Sequence, residues 1–197
     1  ACLEQAIDVM AASTLGPSLF AGFTGIAWAV AHLAPQLADP SAGDLDDELD
    51  GIVLDLVRPA RWPGDYDLIS GLVGLGVYAL ERGSRPVATR VLELLEATAR
   101  ARGGGRGVAW FTKPELLEPH QQEEAPYGYW NLGLAHGAAG VIAVLARFVA
   151  AQIEPARAER LLEEGEHDCA ECGYLLLPDV RRRMTAGDYD EAREAAA

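Results

Sequence analysis

Three stretches of this chain superimpose without a gap, and a chain built that way has few folds open to it. The first is Ser18-Leu-Phe-Ala-Gly22-Phe-Thr-Gly25-Ile-Ala-Trp-Ala-Val. The second is Asp67-Leu-Ile-Ser-Gly71-Leu-Val-Gly74-Leu-Gly-Val-Tyr-Ala, and the third is Gly133-Leu-Ala-His136-Gly137-Ala-Ala-Gly140-Val-Ile-Ala-Val-Leu. Each places a Gly-x-x-Gly step at the start of an apolar helix, and a more polar helix follows each. Gly71 follows Gly22 by 49 residues and Gly137 follows Gly71 by 66, the segment Val108 to Tyr129 making the difference. Repeats of this length are helical hairpins arrayed side by side. The apolar helix of each pair belongs inside and its amphipathic partner outside.

Helix formers dominate the rest of the chain, so an all-α fold is expected. The spacing predicts helices over Gly25 to Leu33, Leu45 to Val57, Gly71 to Arg82, Pro86 to Arg102, Gly137 to Gln152 and Ala156 to Glu164. Breakers separate them at Pro35 to Gly43, Pro59 to Gly64 and Gly103-Gly104-Gly105. Val108 to Tyr129 reads as a long loop. The repeat region spans 1–165, and 166–197 reads as a peripheral or partly disordered tail, short of large apolar residues.

Composition removes several functions. With 16 basic and 30 acidic residues the chain carries a formal charge of −14, the wrong sign for neutralising phosphates, so no nucleic-acid partner is expected. No apolar run reaches the roughly 18 residues of a spanning helix. Cys2, Cys169 and Cys172 are an odd count with only two close together. That is no disulfide framework, and a reducing cytoplasm is the expected location. The chain begins Ala1-Cys2-Leu3-Glu4, without an initiator Met or a basic n-region, so a piece of a longer protein is expected.

The positions just before each glycine pair hold the reactive side chains. One residue before the first Gly stand Ala21, Ser70 and His136, and four before it stand Ser18, Asp67 and Gly133. In equivalent repeats these are two rings of positions at inner-helix N-termini around a shared centre. The glycines themselves allow close backbone approach and unusual dihedrals.

These residues resemble the lanthionine synthetase C family, the cyclases that close thioether rings in lanthipeptides. The resemblance rests on Ser18 to Leu33, Tyr66 to Arg82 and above all Asn131-Leu-Gly-Leu-Ala-His136-Gly-Ala-Ala-Gly-Val-Ile-Ala. It implies an α/α toroid, here about three of the family's seven repeats. It also implies a dehydrated precursor peptide as partner, a zinc cofactor, and addition of a cysteine thiolate to dehydroalanine or dehydrobutyrine. Asp67 and His136 match the family's acid/base pair, the thiol losing a proton and the enolate gaining one. The structural alternatives are a core hydrogen bond for His136 and an N-cap for Asp67. Ser18, Ser70, Gly71 and Gly137 are expected along the cavity. Trp110 and Trp130 are candidates for its peptide-gripping rim, against simple packing of the loop.

The family's zinc-ligand elements, Trp-Cys-x-Gly and Cys-His-Gly, do not occur in the chain. What stands in their place is His167-Asp168-Cys169-Ala-Glu-Cys172, one Cys-x-x-Cys knuckle without a fourth ligand. His167, Cys169 and Cys172 are therefore the candidate metal ligands, the alternative being two reduced thiols in the tail, and zinc is not expected to be held by this chain alone. Two functions stay open: a partial cyclase, and a non-catalytic peptide-binding module that keeps the cavity wall without the metal. Three hairpins cannot close a ring of seven. An exposed concave wall of Ile26, Val30, Leu75, Val77, Val141, Ile142 and Leu145 is expected, and with it self-association or cover by further repeats.

Overall fold

The computed structural model describes residues 2–37, 43–101 and 107–165. Eight α-helices account for most of them: α1 (Cys2–Ala12), α2 (Phe23–Leu37), α3 (Gly43–Val57), α4 (Leu72–Arg82), α5 (Arg85–Thr98), α6 (Pro119–Glu124), α7 (Ala138–Ala150) and α8 (Pro155–Glu164). α4 and α5 form one hairpin and α7 and α8 another, while α2 packs on α4 and α4 on α7. That is an inner row of α2, α4 and α7. α3 lies against α5 on the other side. None of these helices is long and apolar enough to cross a membrane.

The core fills the space between the two rows. Tyr78, Leu75, Val91, Leu92, Leu95, Val144, Leu145 and Phe148 are all essentially inaccessible. Leu75, Val141 and Leu145 thus correct the expectation of an exposed wall, because they point into the hairpins. Ile26, Val30, Val77 and Ile142 keep partial exposure. Together with Trp28, Leu134 and Arg147, Val77 borders an open groove of about 340 Å³ along the inner row. The outer row is tied by charge instead. Glu93 accepts from Arg90 at 2.6 Å and from Arg157 at 3.4 Å, which holds its carboxyl below the usual range, and Glu96 pairs with Arg157 and Arg160.

Several boundaries differ from the sequence reading. α1 was not foreseen, and α2 continues through Pro35, whose missing N–H is lost in the final turn. α5 ends at Thr98, since Arg100–Ala101 (β1) leaves to pair antiparallel with Val108–Ala109 (β2). The segment expected to be a long loop, ordered or flexible, holds secondary structure of its own. Phe111–Thr112 (β3) pairs with Tyr129–Trp130 (β4), and a 3₁₀ turn at Pro114–Leu116 and helix α6 lie between them. The triple glycine, the tail and its His167, Cys169 and Cys172 lie outside the described residues.

The paired glycines serve space, not dihedral freedom. Gly71 and Gly137, the N-caps of α4 and α7, have extended backbones with φ −111° and −135° that any residue adopts. A Cβ on Gly22, Gly71 or Gly137 would lie 2.1–2.4 Å from the carbonyl oxygen of Gly16, Asp65 or Asn131, each six residues upstream. The second glycine repeats the pattern: a Cβ on Gly25, Gly74 or Gly140 would lie 1.9–2.5 Å from the carbonyl oxygen of Leu19, Leu68 or Leu134. Each inner helix therefore starts wrapped by its own preceding loop. The loop carbonyls in turn satisfy first-turn N–H groups seven residues on, Gly16 to Phe23, Asp65 to Leu72 and Asn131 to Ala138. Approach between inner helices falls to Gly76, whose α-carbon faces Val144 and Phe148 of α7.

Candidate active site

The wrapped loops of neighbouring repeats interlock. Ser18 Oγ donates to the Ile69 carbonyl at 2.8 Å, Phe20 N–H donates to the same carbonyl, and Leu68 N–H reaches the Ala135 carbonyl at 3.0 Å. Within each loop Ser18 and Asp67 do the same local work. Ser18 Oγ accepts the Ala21 N–H at 3.2 Å, and Asp67 Oδ1 accepts the Ser70 N–H at 2.8 Å. Asp67 is not an N-cap: the cap residue of α4 is Gly71, and no side chain caps it.

This arrangement leaves the second oxygen of Asp67 turned toward the third repeat. Asp67 Oδ2 lies 2.5 Å from His136 Nδ1. The carboxylate is 2% exposed and the His136 side chain 57% exposed, so the ring stands at the surface on a buried anchor. An ionised carboxylate only accepts, so Nδ1 carries the proton and donates it. In the neutral ring Nε2 is then the acceptor. His136 is not the packed core histidine of the structural alternative.

A cleft of about 270 Å³ lies over this pair, bounded by Asp65, Asp67, Ser70, Thr112, Leu117, Glu118, Gln121, Tyr129 and His136 among others. One wall comes from the ordered 111–130 segment. Glu118 and Gln121 hold that wall by a reciprocal capping box at the start of α6. Thr112 Oγ1 donates to the Tyr66 phenol oxygen at 3.4 Å, and burial pushes the Tyr66 phenol up to about 12. Burial also raises the carboxyl of Asp65, against the Tyr66 N–H that it accepts at 2.7 Å.

The expected site residues divide. Asp67, Ser70 and His136 meet at the cleft. Ser18, Gly71 and Gly137 act one step back, Ser18 as a tie between loops and the glycines as the space those loops need. Trp110 is a correction. It is 1% exposed and its indole N–H donates to the Leu95 carbonyl at 2.9 Å, so it belongs to the core beneath the segment. Trp130 packs edge-on against Phe111 at 5.1 Å, while its neighbour Tyr129 reaches the cleft. Sequence reasoning missed Asp65, Thr112 and the α6 wall. The Glu118-Pro-His-Gln121 spacing was the available signal for the last.

Among the described residues no three His, Cys, Asp or Glu side chains group so as to hold a metal ion. The donors around Asp67 and His136 therefore do not fit the zinc that the resemblance implies. His167, Cys169 and Cys172 fall outside the described residues.

A helical-hairpin array with a His–Asp pair at its inner-helix N-termini defines a class, and the chain belongs to the lanthionine synthetase C-like protein family, whose description matches residues 1–165. It is 30% identical over 141 residues to the nisin biosynthesis protein NisC of Lactococcus lactis subsp. lactis, which covers 66% of this chain and 33% of that protein. The structure resembles nisin cyclase with a TM-score of 0.64 and 25% identity, over 82% of this chain and 42% of that one. The chain thus spans well under half the length of these relatives. Their fold is the helical toroid expected above.

Proposed function

We propose that this chain contributes the acid/base half of a lanthipeptide cyclase, which adds a peptide cysteine thiol to a dehydrated residue of a precursor peptide. The observation that carries this reading is the buried Asp67 carboxylate holding the exposed His136 ring by Nδ1 at 2.5 Å, over a cleft. Nε2 is the group left to exchange protons there. It takes the thiol proton as sulfur bonds to the β-carbon of the alkene, and the imidazolium returns a proton to the α-carbon of the resulting enolate. The step is an addition: S–H and the C=C π bond break, S–C and C–H form, and no oxidant is needed. Asp67 holds the ring and stabilises it while charged.

The test is cyclisation of a dehydrated precursor peptide by the full-length protein. His136→Ala should lower turnover by about 10²–10⁴-fold, the usual contribution of general acid–base catalysis. Asp67→Asn should also lower it strongly, because the amide keeps one acceptor for the donors on both Asp67 oxygens, Ser70 and His136 Nδ1–H, and drops the charge. Unchanged turnover in a folded His136→Ala variant refutes the reading, and a parent protein that binds the peptide without cyclising it leaves the non-catalytic peptide-binding module.

A further inference from the structure

Beside the His136 cleft runs a second groove of about 270 Å³, between the 60–66 loop, the end of α5 and β3. Arg61, Arg100 and Lys113 line it, with Asp65 as the one carboxylate on its wall. Such a cluster is unexpected in a chain with almost twice as many acidic as basic residues. Elsewhere Arg58, Arg82, Arg90, Arg157 and Arg160 each pair with a carboxylate. Among the described residues Arg61, Arg100 and Lys113 make no ion pair. The Arg100 guanidinium stacks over Phe111, 5.0 Å from the ring centre, which orders it. Trp62 and Tyr66 add aromatic surface to the same groove.

The groove and the cleft are neighbours: Asp65 and Leu116 border both, and the Tyr66–Thr112 contact stands between them. We infer that the groove docks an acidic segment of a peptide, its carboxylates on Arg61, Arg100 and Lys113 and its apolar side chains against Trp62 and Phe111. A segment held there leads directly to His136. The inference rests on the peptide-substrate reading above and names the part of the substrate held outside the reacting centre. An inorganic anion would use the cations and leave the aromatic surface idle, which is why a peptide fits better.

Fluorescence anisotropy of a neutral-dye peptide of alternating Glu and Leu, titrated with the full-length protein, tests it. Binding should weaken at least about tenfold when Gln replaces Glu in the peptide, and again in Lys113→Glu and in Arg61→Glu. Raising salt from about 50 to about 500 mM should weaken it as well, because the contacts are partly exposed. Lys113→Glu is the variant with least to disturb in the fold, checked by circular dichroism, as the Lys113 side chain makes no hydrogen bond or ion pair among the described residues. Equal binding of the Glu and Gln peptides overturns the inference, as does unchanged binding in both charge reversals. Full displacement by millimolar phosphate, with no preference for the Glu peptide, would mark a simple anion site and overturn it too. The two readings fail separately. Cyclisation lost in His136→Ala with anisotropy unaltered in the groove variants removes the docking site alone, and the opposite pattern removes the catalytic role alone.

Discussion

Replacing Gly71 by Ala tests the physical account of the repeats at its tightest point. The new Cβ would stand 2.4 Å from the Asp65 carbonyl oxygen and 2.4 Å from the Asp67 nitrogen, where ordinary contact begins near 3.4 Å. Both atoms are backbone, so the loop must retreat by about 1 Å. That carbonyl accepts the Leu72 N–H at 3.3 Å and the Trp62 indole N–H at 2.5 Å. Losing both costs about 1 kcal/mol each, and forced overpacking adds about 1–3 kcal/mol. The lower entropy of an unfolded Ala returns about 0.5–1 kcal/mol. The expected net loss is therefore about 2–4 kcal/mol. Gly51→Ala is the comparison: it lies exposed within α3 with nothing within 4 Å of its Cβ position, and should gain about 0.5–1 kcal/mol. Urea unfolding followed by circular dichroism reads both. A Gly71→Ala variant within about 1 kcal/mol of the parent would refute the loop-wrapping argument. So would a Gly51→Ala variant equally destabilised, since the loss would then come from glycine replacement in general. Asp67 shares the displaced loop, so Gly71→Ala should also slow cyclisation.

Two further outcomes follow from the same geometry. Trp110→Phe should cost about 1–3 kcal/mol through the cavity left in the core and the lost indole hydrogen bond, the Leu95 carbonyl keeping the Ala99 N–H and the Thr98 hydroxyl, while the KM for peptide stays unchanged; a raised KM with intact stability would return Trp110 to the cleft rim. Asp65 binds its proton more tightly in the folded chain than in the unfolded one, because burial raises its carboxyl above the ordinary 3.8. Its ionisation therefore opposes folding once the pH is above the folded value, and this cost vanishes below the ordinary one. Asp65→Asn should accordingly be more stable than the parent at pH 7, with an advantage that shrinks as pH falls through the carboxyl range; urea midpoints across pH that show the reverse trend would contradict it.

Much of this was legible before any coordinates, and the reason is periodicity. The apolar runs after Gly25, Gly71 and Gly137 have few places to go but an inner row, and the faces of Val87, Val91, Leu94 and Leu95 do lie in the core. The register of the three glycine pairs also placed Asp67 and His136 at matching helix starts. What the pairs could not reveal was their partner. Their close contacts are with carbonyls six residues upstream, a loop geometry that leaves no pattern in residue type. The 111–130 wall was hidden because strands of two residues carry no alternation. The aromatic cluster around the loop left both rim and packing open for Trp110, and only the Leu95 carbonyl shows where its indole N–H is satisfied.

The central claim is that a buried carboxylate sets the His136 ring so that Nε2 faces the cleft as the proton carrier. Nitrogen-15 NMR of histidine-labelled protein measures this directly, with only four histidines in the chain to assign. The account predicts that neutral His136 carries its proton on Nδ1, hydrogen-bonded to Asp67, and that Asp67→Ala releases that preference. A neutral ring protonated on Nε2 in the parent protein, or a tautomer indifferent to the loss of Asp67, would contradict it.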